Sequence, residues 1–203
     1  CQMNQADSQR FAQSLEDLGF SWQAEPEQAD LVVLTSCGVR QSAENRLFGL
    51  VHKLRAANPK LKIILTGCLV NRSDVRQRLD KQVDIWLPIT DLPQLAERLG
   101  LVKAKTGSVT GYLNLMPKYE SSFSAFVPIG NGCDNFCSYC VVPYARGREV
   151  YRADQEILAE VQGLITKGYQ EIILIAQNVN SYRSAGLDFA DLLKMVDDLP
   201  GNF

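Results

Sequence analysis

The sequence predicts an α/β protein: an open, doubly wound parallel sheet, followed by the first strand–helix units of a second α/β unit. Three observations predict it. Short apolar runs bounded by turn residues alternate with stretches of helical period through the first hundred residues. Residues 101–122 then show no sustained period and carry Lys103, Lys105, Gly107, Ser108, Gly111, Pro117, Ser121 and Ser122, the signature of a linker. The alternation resumes at Phe123 and runs to the end, which divides the chain into residues 1–100, 101–122 and 123–203.

In order, the first helix is predicted over Asp7 to Leu18, with Phe11, Leu15 and Leu18 on one face and Gly19 as the stop. Leu31 to Leu34 is a continuous apolar run of the kind found in a buried parallel strand. Ser42 to Ala57 is helical, with Leu47, Leu50, Val51 and Leu54 at helical spacing. Lys62 to Thr66 is the second strand, Asp74 to Leu79 a short helix, Val83 to Leu87 the third strand and Leu92 to Leu99 a further helix. In the second unit, Phe123 to Ile129 is a strand. Asp154 to Lys167 is a helix with Asp154 as N-cap and Gly168 as stop. Glu171 to Ala176 is a strand and Phe189 to Leu199 a helix. Two strand–helix units cannot close a barrel, and the sequence starts at Cys1 without an initiator Met, so the chain is expected to be a piece of a longer protein.

The bulk numbers exclude more than they assign. Apolar residues make up 46% and charged residues 22%, which is ordinary for a globular protein. The first residues have neither a basic nor an apolar region, so no signal peptide is expected, and no apolar stretch is long enough to predict a membrane span. A net charge of −2 gives no general nucleic-acid footprint. Six cysteines in 203 residues are too few for a disulfide scaffold, so a reducing cytoplasm with thiols kept for metal or redox chemistry is expected.

The cysteines divide into two triads. Cys133, Cys137 and Cys140 lie in one short loop with C-x3-C-x2-C spacing, which suits three corners of an iron–sulfur cube and leaves one iron without a ligand from the loop. Zinc is the competing occupant, but it takes four closed ligands, and the single histidine, His52, lies in the other half. Cys37 follows the first predicted strand and Cys68 the second, at the carboxyl ends where open α/β sheets collect ligands. Taken singly, Cys1, Cys37 and Cys68 also fit buried core positions.

The run from Gly132 to Glu149, with Tyr139 before the last loop cysteine, resembles the radical S-adenosylmethionine superfamily, and within it the MiaB/RimO-type methylthiotransferases. The amino-terminal half is similar as well: Cys1-Gln2-Met3-Asn4 with Asp7-Ser8, Thr35-Ser36-Cys37-Gly38-Val39-Arg40, and Thr66-Gly67-Cys68. Gln177-Asn178-Val179-Asn180-Ser181-Tyr182 and Val141-Val142-Pro143-Tyr144 look like the tRNA-modifying branch. Three positions depart from the pattern: Asn131 where Glu is usual, Thr35 where Asn is usual, and Tyr151 before Arg152 where Ser is common.

The resemblance implies a flavodoxin-like first domain followed by the first part of a radical SAM (β/α) partial barrel. It implies two 4Fe-4S clusters, one on Cys133, Cys137 and Cys140 and one on Cys1, Cys37 and Cys68. It further implies S-adenosyl-L-methionine, cleaved by one electron to a 5′-deoxyadenosyl radical. The implied activity is sulfur insertion and methyl transfer at C2 of an N6-substituted adenosine beside the anticodon, of the dimethylallyladenosine type. The sister activities, on threonylcarbamoyladenosine or on a ribosomal-protein aspartate, are alternatives, and a non-catalytic zinc or redox module is the alternative of another class. The implied partners are a tRNA anticodon stem-loop and a low-potential flavodoxin- or ferredoxin-like electron donor, with the protein a cytoplasmic monomer.

Tyr139, Gln177, Asn178, Arg146 and Arg152 are the expected contacts to cofactor or substrate phosphate. Turn formation is the competing reading for Gln177 and Asn178. Arg148 is read as a solvated partner of Glu149, and His52 and Trp86 as structural. Asn4, Asp7 and Ser8 either shape the second cluster pocket or cap the first helix.

Overall fold

Alternating β-branched and aliphatic residues make the first sheet. The structure, a computed structural model, describes residues 1–102 and 111–203. Strands β1 (Leu31–Ser36), β2 (Lys62–Gly67) and β3 (Ile85–Trp86) are parallel, in the order β1-β2-β3. Because side chains alternate across a strand, Val32, Leu34, Ile63 and Leu65 point to one face. There they meet Leu47, Phe48, Val51 and Leu54 of helix α2 (Gln41–Ala57) and Val75 and Leu79 of helix α3 (Ser73–Leu79). Leu31, Val33 and Ile64 point to the other face, against Phe11 of helix α1 (Gln2–Asp17) and Leu87, Ile89, Leu92, Leu95, Tyr112 and Leu113. Helices and turns thus cover both faces, as the strand–helix alternation predicts.

Three elements differ from expectation. Helix α1 begins at Gln2, five residues earlier than its apolar periodicity suggests, so Asp7 and Ser8 lie in mid-helix and cap nothing. The predicted helix Leu92 to Leu99 is instead a 3-10 turn, Ile89–Gln94, leading into the single-turn helix α4 (Leu95–Arg98). Pro93, which lacks an N–H, sits inside that turn. In the stretch read as a linker, Tyr112–Asn114 form a 3-10 turn whose Tyr112 and Leu113 are buried in the first unit. Lys103, Lys105, Gly107 and Ser108 lie outside the described residues.

The second unit pairs β4 (Ser124–Pro128) with β7 (Glu171–Ile175) in parallel, joined through helix α6 (Asp154–Thr166). Ala153, one residue before the expected cap, is the N-cap of α6, and Gly168 stops it at φ 86° with Tyr169 N–H bonded back to Leu164 O at 3.1 Å. Helix α7 (Phe189–Asp197) follows, held at its start by a capping box between Asp188 and Asp191. Ala125, Val127, Ile157, Val161, Leu164, Leu192 and Val196 form the core of this unit.

On the opposite face of β4 and β7, Phe126, Ile173 and Ile175 pack against Met3 and Ala6. Helix α1 therefore lies between the two units: Phe11 serves the first core, Met3 and Ala6 the second sheet. Among the described residues, no helix is long and apolar enough to cross a membrane.

Candidate metal centres

The loop 132–149 leaves the second sheet and returns to it through a short antiparallel pair that its sequence does not announce. Strand β5 (Gly130–Asn131) pairs with β6 (Val150–Tyr151) in the register Gly130↔Tyr151 and Asn131↔Val150, so the base of the loop is closed. Gly132 opens it at φ 86°, and a Cβ there would lie 2.0 Å from Arg148 O. Gln177 holds the same residue from below: its Oε1 accepts Gly132 N–H at 2.6 Å. Asp134 and Glu149 tie the two limbs, each accepting the other's backbone N–H, at 3.2 and 3.1 Å. Cys133 is buried, Cys140 half-buried and Cys137 exposed, and Cys140 N–H closes a turn on Cys137 O at 2.9 Å. After Cys140 the chain winds into helix α5 (Val142–Arg146), with Pro143 in its first turn, where a missing N–H is tolerated.

Two cysteines of the amino-terminal triad, Cys37 and Cys68, meet at the carboxyl edge of the first sheet. Ser36 and Gly67 are register partners, so Cys37 and Cys68 leave adjacent strands side by side, and Cys68 N–H bonds to Ser36 O at 3.0 Å. Both thiols are buried. A Cβ on Gly38 would lie 2.9 Å from Cys68 Cβ, so the loop after β1 lies directly on the second cysteine. Asn4, one turn from Cys1, reaches Cys68 with its Oδ1 3.9 Å from the Sγ, which brings the start of α1 to the same pocket. Ser8 of α1 donates to Thr35 Oγ1 at 3.0 Å just below. Burial raises the Cys37 thiol, but the N–H groups of Val39 and Arg40 and the Arg40 guanidinium outweigh it and hold the thiol below its ordinary value, favouring thiolate.

Arg146 ends α5 inside this pocket rather than beside its own loop. Its Nε lies 3.4 Å from Cys68 Sγ, its Nη2 donates to Asn4 Oδ1 at 2.6 Å, and its Nη1 donates to Asn131 Oδ1 at 3.1 Å. Asp7 Oδ2 is 2.8 Å from Nη2, a close ionic contact rather than a directed hydrogen bond. Burial pushes the Asp7 carboxyl up and the Arg146 charge pulls it back. A cleft of about 210 Å³ between the units opens beside the pair, lined by Gly67, Asn71, Pro88, Tyr144, Arg146 and Gly147.

Two segments of this chain match known families. Residues 1–88 match an uncharacterized protein family, UPF0004, and residues 127–201 match the radical SAM superfamily. Over 99% of its length, the chain is 38% identical to a tRNA-2-methylthio-N(6)-dimethylallyladenosine synthase of Desulfitobacterium hafniense, of which it covers 48%. It is 38% identical to the protein of that name in Moorella thermoacetica and 40% identical to that in Syntrophomonas wolfei, covering 49% and 48% of them. Over 99% of its length the chain is similar to methylthiotransferases of this name. It spans about half the length of the curated relatives it matches.

Membership of the radical SAM superfamily implies S-adenosyl-L-methionine and a 4Fe-4S cluster. The donor chemistry of the chain fits: all six cysteines are free thiols, three on one loop, and Cys37 and Cys68 side by side at one sheet edge. Among the described residues, no three Cys, His, Asp or Glu side chains converge on one point. The fold thus holds Cys133, Cys137 and Cys140 on one loop and Cys37 and Cys68 in one pocket, and the sulfurs are not gathered on a common centre.

The other expected contacts divide. Tyr139 is 89% exposed beside the cysteines. Gln177 supports Gly132, and Asn178 donates to Ser181 Oγ at 2.5 Å while its carbonyl accepts Tyr151 O–H at 3.0 Å; both therefore shape the loop and the turn. Arg146 and Arg152 do not extend from the radical loop as contacts for S-adenosyl-L-methionine or phosphate. Arg146 turns to the other triad, and Arg152 is buried against Glu160 Oε2 at 2.5 Å and Pro128 O at 3.0 Å, because a buried guanidinium requires a carboxylate. Arg148 pairs with Asp134 at 3.1 Å rather than with Glu149. Asn4 and Asp7, read from the sequence as shaping the second pocket or capping the first helix, lie around Arg146 in that pocket; Asn131, read only as a departure from the family pattern, is the partner that was missed.

Gly132 carries a direct test. Gly132→Ala forces a side chain into Arg148 O at a positive φ, a strain of about 1–3 kcal/mol before the clash is counted. The expected outcome is a large fall in the iron and sulfide bound by the Cys133 triad, measured by chemical analysis after reconstitution. The Gly147→Ala variant, at φ 82° but with nothing within 4 Å of its Cβ, carries the backbone strain without the clash and is the control.

Proposed function

We propose that the protein carrying this chain is a tRNA methylthiotransferase that converts an N6-dimethylallyl-adenosine beside the anticodon to its 2-methylthio form. The observation that carries this reading is the presence of two cysteine triads in one chain, on family segments 1–88 and 127–201, with relatives named for that reaction. In this reading Cys133, Cys137 and Cys140 hold the cluster that binds S-adenosyl-L-methionine, and Cys1, Cys37 and Cys68 hold a second. The bound cluster and S-adenosyl-L-methionine supply the radical chemistry.

The chain's own residues supply placement. Gly132, Gln177, Asp134 and Glu149 fix the radical loop, so the cysteines present themselves from a closed base. The Val39 and Arg40 N–H groups form a local donor nest around Cys37 that favours thiolate ligation. Tyr139, exposed on the loop, is available to stack on an adenine ring. The partners in this reading are a tRNA anticodon stem-loop and a low-potential electron donor, with a cytoplasmic monomer as the working form. Nucleoside mass spectrometry of tRNA from cells with and without the full-length gene tests it. Loss of 2-methylthio-dimethylallyladenosine on deletion is expected, and unchanged levels would sink the reading.

A further inference from the structure

We propose that Arg146 is a positioning residue for the amino-terminal centre, and that it tunes that centre electrostatically from the radical domain. The inference rests on the reading that Cys1, Cys37 and Cys68 hold a cluster. Arg146 lies five residues beyond the start of the stretch that follows Cys140, on α5, yet its side chain is 3% exposed in the other triad's pocket. It is fastened at both ends: Asn131 Nδ2 donates to Arg146 O at 3.0 Å while Asn131 Oδ1 accepts from the guanidinium. Asn4 and Asp7 hold the same group from α1.

The remaining guanidinium edge faces Cys68 Sγ at 3.4 Å. A neutral thiol is a weak acceptor, whereas a metal-bound thiolate is anionic and accepts an N–H from a cation well. Asp7 is the one carboxylate in contact with the guanidinium among the described residues, and the Nε edge is left facing the Cys68 sulfur. Hydrogen bonds and charge at cluster sulfurs set cluster potential, because they favour the more negative, reduced state. Arg146 therefore raises the potential of the amino-terminal centre and ties its geometry to the helix that follows Cys140. Asp7 works against it by lowering the field.

The opposed signs give the test. In full-length protein carrying Cys133→Ala, Cys137→Ala and Cys140→Ala, only the amino-terminal centre contributes, and its potential is read by redox titration followed by electron paramagnetic resonance. Arg146→Met is expected to shift the midpoint to lower potential, Arg146→Lys to shift it less, and Asp7→Asn to shift it to higher potential. In the converse background, with Cys1, Cys37 and Cys68 replaced by Ala, the same variants leave the midpoint of the radical centre unmoved. A structural role alone changes cluster occupancy without opposite shifts, so coincident or absent shifts overturn the proposal. Because Arg146→Met leaves Asp7 buried and unpaired, Asp7→Asn with Arg146→Met is the second variant. It removes both charges, retains the fold, and is expected to keep the lowered midpoint through loss of the N–H to sulfur contact. If the parent background binds no iron, the two-cluster reading fails and this inference with it. If it binds about four irons per chain and the midpoints do not respond, the Arg146 inference alone fails.

Discussion

Replacing Cys133, Cys137 and Cys140 by alanine is expected to remove about four irons and four sulfides per chain from the full-length protein, and to abolish cleavage of S-adenosyl-L-methionine. Replacing Cys1, Cys37 and Cys68 is expected to remove a similar number while leaving that cleavage measurable. The asymmetry follows from where the triads lie. The first is confined to a loop closed by β5 and β6 and supported by Gln177, contacts that belong to the second unit. The second is assembled from α1 and the ends of β1 and β2. Each set can therefore be removed without dismantling the backbone that presents the other. Iron and sulfide analysis with a 5′-deoxyadenosine assay checks both halves. A zinc content in place of iron, with no sulfide, would refute the cluster reading for either triad.

Glu160→Gln is expected to destabilise the protein by about 3–5 kcal/mol, because it leaves buried guanidiniums without their shared counter-charge. Arg10 of α1 and Arg152 both meet this carboxylate, at 3.6 Å and 2.5 Å, and the three side chains are 0%, 5% and 5% exposed. Tyr119 O–H donates to the same group, and Arg10 Nη2 also reaches Leu113 O at 3.2 Å. Burial holds the Arg10 guanidinium below its ordinary pKa, and the Glu160 charge opposes that pull. The cluster joins α1, the segment around Tyr119, the residue that follows β6, and α6, so its loss loosens the seam between the two units. For a chain of this size the expected fall in Tm is about 10 °C. Glu156→Gln, whose exposed carboxylate accepts only from Asn114 at 2.8 Å, is expected to stay within about 0.5 kcal/mol of the parent. Thermal and urea denaturation of the two variants side by side check the difference; equal stabilities would show that the network carries no such energy.

The elements that were legible are those whose burial follows one period. Leu31 to Leu34 and Lys62 to Thr66 read as parallel strands because both faces are covered, and α2 because Leu47, Val51 and Leu54 return every turn. Helix α1 was read short because its buried face carries Asn4, Asp7 and Arg10 between Met3, Ala6 and Phe11, so the apolar period is broken where the helix serves the site. Helix α5 and the β5–β6 pair are too short for any period to register, and Pro143 masks the helix further. The C-x3-C-x2-C loop was legible as a loop because spacing along the chain is a local property.

The sequence by itself determined the division of the cysteines into three and three, the strand–helix order, and the resemblance that the family matches support. Only the tertiary structure decided that Arg146 lies against Cys68 rather than beside its own loop, that Arg152 is held by Glu160, and that α1 belongs to the seam of both units. The physical reason is separation: Asn4 and Arg146 are 142 residues apart, and Cys68 and Arg146 are 78 apart. Local spacing states what a residue can bind, whereas the counter-charge that makes a buried guanidinium tolerable is chosen by packing.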